Sequence, residues 1–216
     1  MLEITLKRLS AFGIREVIIN VHHFADMIAE YLKANDSFAM RIELSREEVL
    51  LDTGGGLKKA GWFFLTDPSA LDEPFVLHNV DVLSTIDLGL MAKFHAEKRA
   101  LATLAVQKRE TSRYLLFNEQ LELCGRRAGK DYESEIVRAS PDLQPLAFSG
   151  IHVISPRLLS NLSEKGRFSI IPSYLRLAAE GENILAFRSD DYYWRDVGRP
   201  DDLAQSALDF GQNVIP

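Results

Sequence analysis

Two aspartates follow apolar stretches that read as strands, and their side chains suit a hard cation. Asp81 lies in "PFVLHNVDVL", two residues after Asn79, and Asp196 follows the aromatic stretch "YYWR". In open parallel sheets, ligands bind beyond the carboxyl ends of strands, and Mg²⁺ prefers oxygen ligands. Each aspartate alone could equally cap a helix or form a turn. As a pair, they could share one Mg²⁺ that also holds a triphosphate, as in phosphoryl-transfer sites.

A run of three glycines is the second unusual feature. The stretch "LDTGGGLKKA" uses three of the 13 glycines of this 216-residue chain at one place. One explanation is a tight turn; the other is a place where bare backbone approaches a ligand, since glycine has no Cβ. A turn normally needs a single glycine, so we favour ligand approach. Asp52 or Thr53 would then cap a helix that starts at Leu57.

Several chemistries are excluded or disfavoured by the composition. The five histidines show no metal-ligand spacing, and Cys124 is the single cysteine. The chain has no Walker A loop, no G-x-G-x-x-G motif, and no G-x-S-x-G elbow around Ser149. A net charge of −6 argues against nucleic-acid binding. No apolar run reaches the roughly 18 residues of a membrane span, so we expect a cytoplasmic protein. Because the chain carries excess negative charge, we expect an anionic substrate to be held by a metal or by backbone N–H groups.

The order of the predicted elements indicates an α/β fold. Helical and β-branched stretches alternate from the N-terminus to about residue 106, which predicts βαβ units and a mostly parallel sheet with helices on both faces. In the second half the pattern changes to a hairpin, a long strand, a helix, two short strands and a final helix that starts at Pro200. No repeat or low-complexity linker separates the halves, so we predict a single domain over residues 1–216.

These features together resemble the sugar-phosphate nucleotidyltransferase family, on its branch of N-acetylmuramate-1-phosphate uridylyltransferases and mannose-1-phosphate guanylyltransferases. The resemblance is carried, in family order, by "GIREVIINVHH", "LDTGGGLKKA", "LHNVDVL", "FSGIHVISP" and "YWRDVGRPDDL". It implies a Rossmann-like, nucleotide-diphospho-sugar transferase-like fold. Residues 1–110 would form the nucleotide-binding part, and residues 111–216 the sugar-binding part with the C-terminal helix.

The resemblance also implies roles for individual residues. The "LDTGGG" stretch would lie against the base of a nucleoside triphosphate, with Glu47 or Glu48 nearby, and a sugar 1-phosphate would be the second substrate. The residues assigned on this basis are Glu47, Thr53, Gly54, Gly55 and Asn79 for the nucleotide, Gly150 and Trp194 for the sugar, and Asp81 and Asp196 for Mg²⁺.

One departure from the family is large. Its members open with a strand and a glycine-rich loop that carries an arginine, followed by a lysine, and the present sequence has none of these. Such donors stabilise charge in the transition state, and loss of one costs about 10²–10³ in rate. We therefore assign no catalytic residue and expect impaired activity.

Three explanations remain open: an N-terminally truncated chain, which we favour, a rearranged sheet, or a strand supplied by another subunit of a homo-oligomer. The alternative function is a non-catalytic nucleotide- or sugar-binding or regulatory homologue.

Overall fold

The computed structural model describes residues 1–65, 73–128 and 133–199, together with five residues near the C-terminus: Asp202, Gln205, Ser206, Leu208 and Asp209. The helix predicted to start at Pro200 falls largely outside these described residues. Within them, no helix combines the length and the apolar character that a membrane crossing requires.

The described part of the chain alternates between helices and strands, as the sequence predicts. In chain order the elements are α1 (Leu2–Ala11), β1 (Glu16–Val21), α2 (Ala25–Ala34), a 3-10 turn (Asp36–Ala39), β2 (Arg41–Arg46), α3 (Asp52–Ala60), α4 (Trp62–Leu65), β3 (Phe75–His78), β4 (Val82–Ser84), α5 (Leu88–Lys98), β5 (Ala102–Gln107), β6 (Arg113–Phe117), β7 (Leu123–Ala128), β8 (Glu133–Ile136), β9 (Gln144–Ile154), α6 (Arg157–Asn161), α7 (Ile170–Ala179), β10 (Ile184–Arg188) and β11 (Trp194–Asp196).

The chain divides into two compact units. Unit 1 comprises Met1–Glu73 and Pro156–Ser173, and unit 2 comprises Pro74–Ser155 and Tyr174–Pro216. These boundaries reflect which residues pack together in space. The assignment of residues 1–110 to nucleotide binding and of residues 111–216 to sugar binding stays a prediction.

Unit 1 contains a βαβ arrangement. Strands β1 and β2 pair in parallel over their full lengths, and α2 connects them. Helix α1 precedes them and buries Leu6 and Leu9, in line with its helical spacing of leucines. Of the six residues of β1, only Val21 is buried.

Unit 2 is organised around the long strand β9. On one edge, β9 pairs with β5, and β10 continues the sheet beyond β5. On the other edge, β9 pairs first with β6 and then, farther along, with β3. Strands β6, β7 and β8 continue outward as antiparallel neighbours, so the predicted hairpin is present. The core of this sheet includes Leu104, Val106 and Ile154, all fully buried.

The sheets are mixed, with parallel pairing in the minority among the described strands. Only β1 with β2 and β5 with β10 pair in parallel. The prediction of mostly parallel pairing was wrong because β9, which comes from the second half of the chain, inserts between β3 and β5 and runs antiparallel to both. A further difference is that "PFVLHNVDVL" forms two strands, β3 and β4, with a turn between them that contains Asp81.

Candidate functional site

The two predicted metal-binding aspartates lie at the same end of a short strand pair in unit 2. Strands β4 and β11 pair antiparallel in a register that places Asp196 opposite Val82, the residue after Asp81. The backbone N–H of Val197 donates to the carbonyl oxygen of Asp81 at 2.8 Å, which extends the pairing by one step. Strand pairing therefore brings together two aspartates that are distant in the sequence.

The carboxylates of Asp81 and Asp196 converge on the space beside Gly198. A Cβ atom placed on Gly198 would lie 3.1 Å from Asp196 Oδ1 and 3.3 Å from Asp81 Oδ2. The two carboxylate oxygens therefore cannot be farther apart than the sum of these distances. Asp196 Oδ1 also accepts the backbone N–H of Gly198 at 2.9 Å, which holds it beside this space. The side chains meet as the sequence predicts, and their role as metal ligands stays a prediction.

The electrostatics of the pair favour a cation. Partial burial raises the pKa of the Asp81 carboxyl above its usual range, and the charge of Asp196 raises it further, while a backbone hydrogen bond acts in the opposite direction. Because the charge of Asp196 disfavours the ionised form of Asp81, the site gains when a positive ion cancels this repulsion. The donor atoms are hard oxygens, which suit Mg²⁺.

The number of protein ligands fits a cation that is shared with a substrate. No group of three or more histidine, cysteine, aspartate or glutamate side chains in the described ranges is arranged to hold a metal ion. Mg²⁺ is usually bound through one or two carboxylates and takes its other oxygens from water and substrate phosphates. Asp81 and Asp196 supply this smaller set.

Strand β9 changes its pairing at Phe148, Ser149 and Gly150. The preceding four residues pair with β6 and the following four pair with β3, so these three lie between the two partners. On the other edge, the register with β5 shifts over the same stretch, which is the pattern of a β-bulge. Gly150 has φ +75°, a left-handed conformation that glycine adopts without strain.

The carbonyl groups of the bulge hold three groups in place. Phe148 O accepts a hydrogen bond from Arg109 Nη2 at 2.7 Å, and Ser149 O accepts one from Trp194 Nε1 at 2.7 Å. Gly150 O accepts the backbone N–H of Asn79 at 3.0 Å.

Arg109 also stacks on Trp194, with its guanidinium carbon 3.6 Å from the ring centroid. Trp194 was predicted to line the sugar side, and one face of its indole ring is covered by this guanidinium.

Arg109 is the main residue that the sequence-based reasoning missed. Partial burial lowers the pKa of its guanidinium, and the carboxylate of Asp196 counteracts that shift, so the cation is within electrostatic range of Asp196. A signal was available: Arg109 follows strand β5 as Asp81 follows β3. Because both strands run antiparallel to β9, their carboxyl ends lie at the same edge of the sheet.

Gly150 and Asn79 have a role within the chain. Gly150 is buried, and a Cβ atom at this position would lie 2.9 Å from Val82 Cγ2 and 3.1 Å from Asn79 Nδ2. The glycine is thus explained by close packing and by its φ angle. Contacts of Gly150 with a sugar and of Asn79, which is exposed, with a nucleotide stay predictions.

The three consecutive glycines lie in helix α3, which begins at Asp52, so the prediction that the helix starts at Leu57 was wrong. All three are buried. The backbone N–H groups of Gly54 and Gly55 donate to Phe168 O at 3.0 and 3.2 Å. These donors at the start of the helix are therefore bonded within unit 1.

The same packing explains why the residues are glycines. A Cβ atom at Gly54 would come within 3.0 Å of Phe168, and one at Gly55 would come equally close to Gly166 O. At Gly56 it would meet the side chains of two polar residues, Asn20 and Glu47. The helix approaches its neighbours more closely than residues with side chains permit.

Glu47 is a buried carboxylate with partners inside unit 1. Its Oε1 accepts Asn20 Nδ2 at 3.2 Å, and its Oε2 accepts the backbone N–H of Leu51 at 2.9 Å. It thus connects the end of β1 to the residue before α3. The N–H of Thr53 donates to Asp52 Oδ1 at 2.6 Å, and no side chain caps α3. Nucleotide contacts of Glu47, Thr53, Gly54 and Gly55 stay predictions.

Comparisons with known proteins agree on one family. The family profile described as Nucleotidyl transferase matches residues 1–120. The chain is 28% identical over 206 residues to an N-acetylmuramate alpha-1-phosphate uridylyltransferase of Caulobacter vibrioides, covering 90% of this chain and 77% of that protein. It is 27% identical to a mannose-1-phosphate guanyltransferase of Yarrowia lipolytica, covering 92% of this chain. The chain spans 52% of that relative's length.

The fold agrees with solved structures of the same kind. A UDP-glucose pyrophosphorylase from Acinetobacter baumanii superposes with a TM-score of 0.76 at 15% identity, covering 98% of this chain and 82% of that one. The Rossmann-like fold predicted from the sequence is therefore confirmed. Since the family profile covers more than half of the chain, the protein belongs to the nucleotidyl transferase family.

Proposed function

We propose that this chain couples a nucleoside triphosphate to a sugar 1-phosphate and releases pyrophosphate. The observation that carries the proposal is the convergence of the Asp81 and Asp196 carboxylates beside Gly198. Family membership supports the reaction class, and the names of the two relatives are those of enzymes acting on sugar 1-phosphates. The base and the sugar are left open by these observations.

The bonds that change define what the site must do. An oxygen of the sugar phosphate attacks the α-phosphorus in line, a new P–O bond forms, and the bond from the α-phosphorus to the oxygen bridging to the β-phosphate breaks. The released group is pyrophosphate, and no covalent bond to the protein forms. Catalysis of such a step consists of positioning the phosphates and stabilising their charge.

Asp81 and Asp196 would hold a Mg²⁺ ion in this reaction. When bound, Mg²⁺ orients phosphate oxygens and offsets their negative charge. Asp81 must lose its proton to act as a ligand, and its pKa is raised. Cation binding and proton release are therefore linked, and the apparent affinity for the cation rises with pH through the range in which Asp81 ionises.

The finer features of the proposal come from the sequence. They are Mg²⁺ as the cation, a cytoplasmic location, a homo-oligomeric state, and reduced activity of the chain as given. Glu47, Thr53, Gly54, Gly55 and Asn79 remain the proposed nucleotide contacts, and Gly150 and Trp194 the proposed sugar contacts.

Pyrophosphate release tests the reaction directly. The chain is incubated with Mg²⁺, one of four nucleoside triphosphates and one of four sugar 1-phosphates, in every combination. The sugar 1-phosphates are those of glucose, mannose, N-acetylglucosamine and N-acetylmuramate. The variants are Asp81→Asn and, as a control, Asp142→Asn, since Asp142 is an exposed aspartate. Binding of Mn²⁺, followed by electron paramagnetic resonance, gives a second readout that does not depend on turnover.

We expect turnover with at least one pair of substrates, and loss of both turnover and Mn²⁺ binding in Asp81→Asn alone. Retained Mn²⁺ and substrate binding without turnover would instead indicate a non-catalytic homologue. Equal Mn²⁺ binding by all three proteins would rule out the aspartate pair as the metal site.

A further inference from the structure

We propose that Arg109 binds the phosphate group of the sugar 1-phosphate. The inference rests on the proposed function, because it takes the ligand from that reaction, and it adds a residue that neither the sequence motifs nor the relatives' names point to.

The guanidinium of Arg109 has hydrogen-bond donors to spare. One nitrogen, Nη2, donates to Phe148 O, whereas Nε is buried without a hydrogen-bond partner. None of the ion pairs formed among the described residues includes Arg109. A guanidinium carries five N–H donors in a fixed plane. A partly buried cation that makes no direct ion pair is unfavourable, so an anion bound to its N–H groups would relieve part of this cost.

The position of the guanidinium is fixed by the protein. Its plane stacks on the indole of Trp194, and the indole is itself held by the hydrogen bond from Nε1 to Ser149 O. Both anchoring carbonyls belong to the bulge of β9. An arginine held on an aromatic ring can offer its remaining N–H groups to phosphate, and little side-chain entropy remains to be lost on binding.

The charges around Arg109 favour the binding of an anion only when the metal is present. Asp196 acts electrostatically on Arg109, and Asp81 lies beside Asp196. Without a cation, two carboxylates outweigh one guanidinium and would repel a phosphate. Bound Mg²⁺ would cancel the carboxylates, and the guanidinium would then be the surplus positive charge. Phosphate binding at Arg109 should therefore depend on the divalent cation.

The aromatic ring indicates which phosphate is bound. Sugar rings have apolar faces that pack on aromatic side chains, and Trp194 is the proposed sugar contact. A phosphate bonded to Arg109 would lie beside this ring and near the aspartate pair. We therefore assign the phosphate of the sugar substrate to Arg109, rather than the outer phosphates of the triphosphate.

The experiment measures binding of inorganic phosphate and of the four sugar 1-phosphates named above, by isothermal titration calorimetry with and without Mg²⁺. The variants are Arg109→Gln, which removes the charge, and Arg109→Lys, which keeps the charge but loses the planar fork. Arg113→Gln is the matched control, because Arg113 is an exposed arginine in the following strand. Circular dichroism melting curves establish that each variant folds.

We expect Arg109→Gln to weaken Mg²⁺-dependent binding of phosphate and of the accepted sugar 1-phosphate by about 10- to 100-fold, the loss of one charge-assisted contact. The affinity of Arg109→Lys should lie between those of Arg109→Gln and the wild type, and the affinity of Arg113→Gln should match that of the wild type. If the proteins turn over substrate, the effect should appear in KM for the sugar phosphate and not in KM for the triphosphate.

Two results would overturn the assignment. One is the absence of an effect on binding: equal affinity of the wild type and Arg109→Gln for all probes, which includes the case that neither binds any probe. The other is a shift in KM that is confined to the triphosphate. Mn²⁺ binding separates this proposal from the reaction itself: Arg109→Gln should leave it intact, whereas failure of the metal site would appear as Mn²⁺ binding that Asp81→Asn does not change.

Discussion

Replacing Asp81 by asparagine tests whether the two carboxylates form a site that needs a cation. Burial and the charge of Asp196 raise the pKa of Asp81, so the folded chain keeps this proton to a higher pH than the unfolded chain. Below the unfolded pKa both states are protonated, and the group has no effect on stability. As the pH rises through the raised pKa, the folded state loses stability. At neutral pH without divalent cations, Asp81→Asn should therefore be more stable than the wild type.

The size of this effect follows from the geometry beside Gly198. The carboxylate oxygens are no farther apart than the sum of 3.1 and 3.3 Å. At that limit, Coulomb's law gives a repulsion of about 0.6 kcal/mol in water and about 2.6 kcal/mol at an effective dielectric constant of about 20, and we take about 1 kcal/mol for this partly exposed site. In a chain of this length, about 1 kcal/mol corresponds to a shift in Tm of about 2–4 °C. A cation at a tenfold excess over its Kd would stabilise the wild type by about 1.4 kcal/mol, which is enough to reverse the order.

Thermal unfolding in chelator and in a Mg²⁺ series gives the required comparison of the wild type, Asp81→Asn and Asp142→Asn. We expect the Tm of Asp81→Asn to exceed that of the wild type in chelator and to rise less as the Mg²⁺ concentration increases. The curves of Tm against Mg²⁺ concentration for these two proteins should therefore cross. Asp142→Asn should follow the wild type. The reasoning fails if Asp81→Asn lowers the Tm in chelator, or if Mg²⁺ raises its Tm as much as that of the wild type.

Three further predictions concern single positions. Gly55→Ala should lower the free energy of unfolding by about 1–3 kcal/mol through overpacking against Gly166 O, and an unchanged free energy in urea unfolding would contradict this. Gly198→Ala should weaken Mn²⁺ binding about tenfold, because the new methyl group would press on both carboxylates, and an unchanged Kd in the resonance titration would contradict this. Burial lowers the pKa of His152 to about 3. Below pH 6.5 the imidazole is therefore protonated in the unfolded chain but stays neutral in the folded chain. The wild type should lose about 2 kcal/mol more stability than His152→Gln between pH 7 and pH 5, and parallel pH profiles would speak against this cause.

The sequence predicted the parts of the site that depend on local order along the chain. An apolar run followed by a polar residue marks a strand end, and this placed Asp81 and Asp196 correctly after β3 and at the end of β11. Their meeting could be anticipated because ligands gather at strand ends. The βαβ arrangement of β1, α2 and β2 was likewise readable, because each element carries its own periodicity.

The features that the sequence did not predict depend on partners far along the chain. Nothing near Gly54 indicates that Phe168 will approach it and accept its N–H, so the sequence did not predict that the three glycines lie in a closely packed helix. The insertion of β9 between β3 and β5 was hidden for the same reason. Arg109 was missed because its importance comes from stacking on Trp194, a contact between positions with no shared motif.

The bulge of β9 accounts for how several of these groups come to lie together. A regular strand would engage its carbonyl groups in pairing, whereas the carbonyls of Phe148, Ser149 and Gly150 accept Arg109, Trp194 and the backbone of Asn79. This conformation requires the positive φ of Gly150, where a Cβ atom would also press on Val82 and Asn79. Gly150 therefore acts through the backbone: it fixes the bulge, the bulge orients the guanidinium and the indole, and the guanidinium lies within electrostatic reach of Asp196. This positioning role stands beside the predicted contact of Gly150 with the sugar, because a backbone that fixes the bulge also fixes the groups around such a contact.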